Sequence, residues 1–204
     1  GSQRQPNKRT VEYELLKTLQ RIKLVENARK NKFKAAARTD KGVNAREACF
    51  SFLTANDFHF NQLNYELPND MGITAWAVIP EDFKPRYNCV WKEYRYIMPK
   101  IGEIKRNFDV GIVKEALKMM EGTHNFLLFS KRTPPKPKPT VLTLDKAAIE
   151  EEKNHYVLTF KSRSFLWQQI RRTIRFLQKL GLGKADISEL QMRFDSEYIH
   201  NHPS

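Results

Sequence analysis

The sequence predicts an α/β fold of the α+β type: two β-α-β-β-α-β-like halves with mainly antiparallel sheets side by side. Three observations carry this expectation. The first half reads α-β-β-α-β and the second β-α-β-β-α, from apolar runs and helical spacings alternating along the chain. Glu150-Glu151-Glu152-Lys153-Asn154 sits between two strand-like runs as a hairpin turn. With 204 residues, 40% of them hydrophobic and 13 of them Phe, the chain can bury a core of domain size, which excludes disorder throughout.

Thr10 is placed to cap the first helix, with Glu12 and Glu14 in its first turn and Val11, Leu15, Leu19 and Ile22 at helical spacing. A strand from Phe33 to Ala37 runs into Arg38-Thr39-Asp40-Lys41-Gly42, a turn-like stretch, and a second strand spans Ala48 to Leu53. A short helix is expected around Asp57 to Tyr65, then a buried strand from Ile73 to Ile79. The second half opens with a strand from Val90 to Met98 that puts Lys92, Tyr94 and Tyr96 on one face. Asp109 caps a helix with Ile112, Val113, Ala116, Leu117 and Met120 inward, closed by Gly122. Strands follow at Val141 to Ile149 and His155 to Lys161, then helices from Phe165 to Leu180 and from about Ile187. The division expected is 1–88 and 89–204. Relative to a complete β-α-β-β-α-β sandwich, the first half lacks its opening strand and the second its closing one.

Charge points to a partner. The 36 Lys and Arg against 23 Asp and Glu leave +13, an excess that favours a polyanion through counterion release. Cys49 and Cys89 are too few for a disulfide framework or a zinc site and fit a reduced, intracellular compartment. No run reaches the length of a membrane span, and the start lacks a secretory hydrophobic core. Gly1-Ser2 leaves two readings open, cloning scar or native sequence. No His, Cys and carboxylate set has metal-ligand spacing, and no phosphate-cradling Gly-rich loop exists, so neither metal nor cofactor is expected.

Two segments could carry chemistry. Asp40 lies on a turn between the cations Arg38 and Lys41, where a carboxylate can stay ionised as nucleophile or base. The same pattern also suits a plain turn bonded to its own amides. In the helix after Phe165, Trp167, Ile170, Ile174 and Leu177 mark the inner face, and Arg171 stands on its border, where a guanidinium is partly buried if an anion pairs with it. Arg172, Arg175 and Lys179 read as a solvated basic face. Tyr94 reads equally as a core tyrosine, and His124, after a helix end, as a structural hydrogen-bonder.

Taken together and in order, these segments resemble the TruA family of tRNA pseudouridine synthases. Gln3-Arg4-Gln5-Pro6 with Thr10-Val11-Glu12 is similar to the family's QxQP and TVE entry, and Arg38 to Ala45 to its RTDxGVxA signature. Tyr94-Arg95-Tyr96, Gly122 to Phe126 and Ser164 to Arg171 match the YRY, GTHxF and SFLxxQ(V/I)R elements. Ala37 stands where many members have Gly, and Gln168 where many have His or another residue. The Lys after Asp40 and the Leu166-Trp167 pair look more like archaeal or eukaryotic members than bacterial ones.

The resemblance implies uridine-to-pseudouridine isomerisation in tRNA, in the anticodon stem-loop at tRNA positions 38–40. It implies Asp40 as the essential carboxylate, Arg171 as its partner, Tyr94 stacked on the uracil and Arg38 in the place of the flipped nucleotide, in a basic cleft between the halves. Lys41, Lys131, Arg132, Lys136 and Lys138 are the further RNA-binding cations expected, the last four in a Lys/Pro segment from Lys131 to Pro139. No membrane partner is expected. Bacterial relatives are dimers and some eukaryotic ones monomers, so a homodimer is one expectation. The compartment would be cytoplasmic in a prokaryote, nuclear or mitochondrial in a eukaryote. A non-catalytic RNA-binding or ribosome-associated protein is the rival reading; a glycosidase with paired carboxylates is weaker, because no second acid accompanies Asp40.

Overall fold

The computed structural model describes residues 1–57, 59–131 and 139–195. The chain divides into two compact units, Gly1–Cys89 and Val90–Ser204, each with its own core. The fold is mixed α/β, and every strand pair among the described residues is antiparallel.

In the first unit, helix α1 spans Val11–Arg21. Thr10 is extended and its side-chain oxygen accepts from the Tyr13 N–H at 3.3 Å, which occupies one of the free N–H groups of the first turn. Leu15, Leu16 and Leu19 bury its inner stripe against Leu63 and Leu67, which flank the end of helix α2, Phe60–Glu66. Strands β1, Lys34–Ala35, and β2, Phe50–Ser51, form a short ladder. Further bonds extend it irregularly: Ala36 N–H to the Cys49 carbonyl at 2.9 Å and Leu53 N–H to the Asn31 carbonyl at 2.7 Å. Phe33 and Phe50 stack at 5.7 Å and anchor the ladder to the leucine core.

The run from Ile73 to Ile79 forms no strand. Trp76, Val78 and Ile79 are 56%, 89% and 40% exposed, and no strand among the described residues pairs with them. An extended apolar run becomes a strand only by exchanging main-chain hydrogen bonds with a neighbour. At Ile73 a side chain substitutes for a strand: the Asn64 side-chain amide receives its N–H at 2.7 Å and donates to its carbonyl at 2.9 Å.

The second unit is built on a three-stranded sheet in the order β3-β7-β6, from Lys92–Pro99, His155–Ser162 and Lys146–Glu151. Helix α3, Gly102–Asn107, is an element that sequence reasoning did not anticipate, and it leads into α4, Val110–Met120. The strand expected from Val141 to Ile149 is divided at Asp145: β5, Val141–Leu144, pairs with β4, Gly122–Asn125, while β6 pairs with β7. On one sheet face Met98, Ala147, Ile149, Leu158 and Phe160 pack with Val113, Ala116, Leu117 and Met120 of α4. Ile174, Leu177 and Leu180 of helix α5, Gln169–Gly181, complete this core, and Leu190 of helix α6, Ser188–Phe194, closes it.

Asp109 caps α4 through its Oδ1, which accepts from Gly111 N–H at 2.7 Å and Ile112 N–H at 3.2 Å. Replacing it by Ala should cost about 1 kcal/mol of stability in urea unfolding. The same segment docks on the end of α5. Asp109 N–H donates to the Gly181 carbonyl at 2.8 Å, and a β-carbon at Gly181 would lie 2.3 Å from the Phe108 ring. That close approach requires glycine. No described helix is long and apolar enough to cross a membrane.

Candidate active site: the Asp40 turn, the Tyr94 strand and the Arg171 helix

The loop between β1 and β2 carries Arg38, Asp40 and Lys41. It closes as a turn in which the Val43 N–H donates to the Asp40 carbonyl at 3.2 Å. Gly42 at the third position has φ +82°, the left-handed value that such a turn needs and that glycine adopts without strain. Arg38 and Lys41 are exposed, and Asp40 is half-buried. The turn is thus presented at the surface of its unit with cations on both sides of the carboxylate.

A further contact holds this loop. Ser2 is buried, its N–H donates to the Thr39 carbonyl at 3.0 Å, and its Oγ accepts from the Thr39 N–H at 2.7 Å. Sequence reasoning treated Gly1-Ser2 as undecided and missed this role. The one available signal was the glycine, since only a residue without a β-carbon allows the backbone approach seen there.

In the second unit, Tyr94 on β3 is half-buried, and its ring meets Phe165 edge-on at 5.1 Å. Its cross-strand partner on β7 is Phe160, which is 1% exposed. Cross-strand partners point to the same face, so the tyrosine is fixed at the rim of the core. Lys92, Tyr94 and Tyr96 alternate along the strand on that face, in the register the sequence predicts.

The arginine helix begins later than Phe165. Residues 165–168 form a non-helical turn, because Gln168 adopts φ +59° and ψ 13°, a left-handed conformation that ends any helix running through it. The Leu166 N–H donates to the Gln169 side-chain oxygen at 2.8 Å, and the Gln169 N–H returns to the Leu166 carbonyl at 3.2 Å. This reciprocal pair ties the turn to the first residue of the helix, and Gln169 is buried. Trp167 consequently leaves the inner stripe: it is 44% exposed, not buried, while Ile174 and Leu177 are buried as expected. The Lys131 ammonium lies 4.6 Å over the Trp167 ring, and the Lys131 N–H donates to the Trp167 carbonyl at 2.9 Å. Arg171, Arg175 and Lys179 lie on the exposed side of α5. Arg132, Lys136 and Lys138 fall outside the described residues.

His124 makes the structural bond expected of it: its Nε2 is 2.8 Å from the Glu121 carbonyl, and its ring stacks on Phe194 at 4.3 Å. Among the described residues, no group of three or more His, Cys, Asp or Glu could hold a metal ion.

Comparison with known proteins gives the family. A family model described as tRNA pseudouridine synthase matches residues 116–202. A protein named tRNA pseudouridine synthase A from Methanosphaera stadtmanae is 36% identical over 190 residues, covering 93% of this chain and 68% of the relative. One of the same name from Thermococcus kodakarensis is 32% identical over 201 residues, covering 97% of this chain and 72% of its own. A third, from Methanothermobacter thermautotrophicus, is 34% identical over 197 residues, covering 97% and 69%. The chain belongs to the TruA family of tRNA pseudouridine synthases, which are isomerases.

Proposed function

We propose that this protein converts uridine to pseudouridine in the anticodon stem-loop of tRNA, at positions 38–40. The observation that carries the reading is the 36% identity over 93% of the chain to a relative named tRNA pseudouridine synthase A. The half-buried Asp40 on its exposed turn supports it from the chain's own chemistry.

The reaction is an internal exchange. The N1–C1′ bond of the nucleoside breaks, the uracil turns, a C5–C1′ bond forms, the C5 proton leaves and N1 gains a proton. No redox equivalent and no transferred group enters the balance, so side chains suffice for it. Asp40 is the catalytic carboxylate, acting as nucleophile at C1′ or as base at C2′, and it must be ionised to do either. Arg171 is the guanidinium that the family resemblance pairs with it. Tyr94, with its ring held by Phe165, offers a flat face to the uracil, and Arg38 takes the place that the flipped nucleotide leaves. Both offset the few kcal/mol that extrusion of a stacked base costs.

The test is tritium release from tRNA carrying 5-³H-uridine, with the modified position mapped by carbodiimide-dependent primer-extension stops. Release with stops at positions 38–40 is the expected result. Release with stops elsewhere would overturn the position alone. No release, with tRNA still bound, would support a non-catalytic RNA-binding protein.

Affinity is assigned in part to Lys131, Arg132, Lys136 and Lys138, as contacts to the tRNA backbone. Each phosphate contact adds roughly 0.7–0.9 to the slope of log affinity against log salt. Replacing all four by Gln should flatten that slope by as much as about 3.6 and weaken binding, with turnover at saturating tRNA nearly intact. An unchanged slope in filter-binding titrations would remove these cations from the interface.

A further inference from the structure

The main-chain groups of Thr39, the residue before Asp40, are held by a single neighbour. Its N–H donates to Ser2 Oγ at 2.7 Å, and its carbonyl accepts from Ser2 N–H at 3.0 Å. Ser2 is itself anchored from behind. The Glu12 N–H donates to the Ser2 carbonyl at 3.0 Å, and the Val11 N–H to the Gly1 carbonyl at 3.4 Å. These are N–H groups of the first turn of α1, which have no partner inside the helix. The dipeptide therefore uses the helix's own free donors to fasten the loop to a rigid element.

The packing is as close as the hydrogen bonding. Ser2 is 5% exposed, and a β-carbon on Gly1 would lie 2.9 Å from the Thr39 carbonyl oxygen and 3.1 Å from the Lys41 nitrogen. Within the loop the Val43 N–H donates to the Asp40 carbonyl and closes the turn, and the β ladder ends at Ala36 and Cys49. A carboxylate must sit within a fraction of an ångström of its target to react efficiently, so the main-chain hold on its neighbour bears directly on its position.

We propose that Ser2 is a positioning residue for the reaction, a brace from the start of α1 that sets the Asp40 turn. The proposal rests on Asp40 being the catalytic carboxylate. Ser2→Ala removes the acceptor for the Thr39 N–H and leaves the anchored backbone unchanged. It should lower kcat about tenfold or more, with KM for tRNA within roughly twofold of the parent, because the substitution removes a bond to the Thr39 main chain and alters no cationic side chain.

The experiment measures tritium release for the parent, Ser2→Ala, Asp109→Ala and Asp40→Asn, together with amide hydrogen exchange at Thr39. A slowly exchanging Thr39 amide in the parent, faster in Ser2→Ala while the Ala36 and Leu53 amides stay slow, is the expected signature. Asp109→Ala, which loosens a helix of the other unit, should keep the parent kcat. Rapid Thr39 exchange in the parent overturns the brace whether or not Ser2→Ala folds. Parent-like kcat in Ser2→Ala beside an inactive Asp40→Asn overturns the brace alone. An equal loss of kcat in Asp109→Ala reduces the effect to stability and overturns it too. An active Asp40→Asn overturns the catalytic reading underneath and the brace with it.

Discussion

Asp40→Asn is expected to lower pseudouridine formation by at least about 10³-fold while binding tRNA no more weakly than the parent. The side chains are nearly the same shape, and the bond that closes the turn, Val43 N–H to the Asp40 carbonyl, uses main-chain atoms that the substitution leaves alone. Gly42, with its left-handed φ of +82°, is likewise left in place. What is lost is the negative charge, without which the side chain can neither attack C1′ nor take a C2′ proton. Binding should hold or tighten slightly, because one anion is removed from a protein of net charge +13 that faces a polyanion. Tritium release in single turnover reads the first effect and filter binding at fixed salt the second. A variant that turns over at the parent rate would remove Asp40 from the chemistry.

Phe160→Ala is expected to destabilise the second unit by roughly 3–5 kcal/mol, the range for truncating a fully buried aromatic. Phe160 is 1% exposed on β7, the central strand of the sheet, and stands opposite Tyr94 on β3 and Ala147 on β6. Its removal opens a cavity between the strands and the helices packed on that face, and the neighbours are themselves wedged in place. The urea midpoint should fall strongly, whereas Phe160→Leu, which refills part of the volume, should fall less. The functional consequence goes through Tyr94, whose ring keeps Phe165 at 5.1 Å but loses its cross-strand neighbour. Turnover should drop even where the variant is still folded. A variant whose midpoint matches the parent would show that the core closes around the missing ring.

Where a residue's partners are close in sequence, its structure was legible. Thr10 and Asp109 cap their helices because a short polar side chain before an apolar stripe satisfies amides two or three residues on. The alternation that places Lys92, Tyr94 and Tyr96 on one face is a property of the extended chain, and the structure keeps it. The turn at Asp40 was equally readable, since Gly42 supplies the positive φ.

The sequence by itself therefore determined the mixed α/β class, the helices of both units other than α3, the turn that carries Asp40 and, through five ordered motifs, the family. Tertiary structure decided the rest. Whether Ile73 to Ile79 becomes a strand depends on a hydrogen-bonding neighbour, which no local pattern encodes. Whether Trp167 is buried depends on Gln168 turning left-handed ahead of α5, an exception to local legibility because propensity does not reveal it. The hold of Ser2 on Thr39 joins residues 37 apart in the chain, and such contacts exist only once α1 and the loop have packed together.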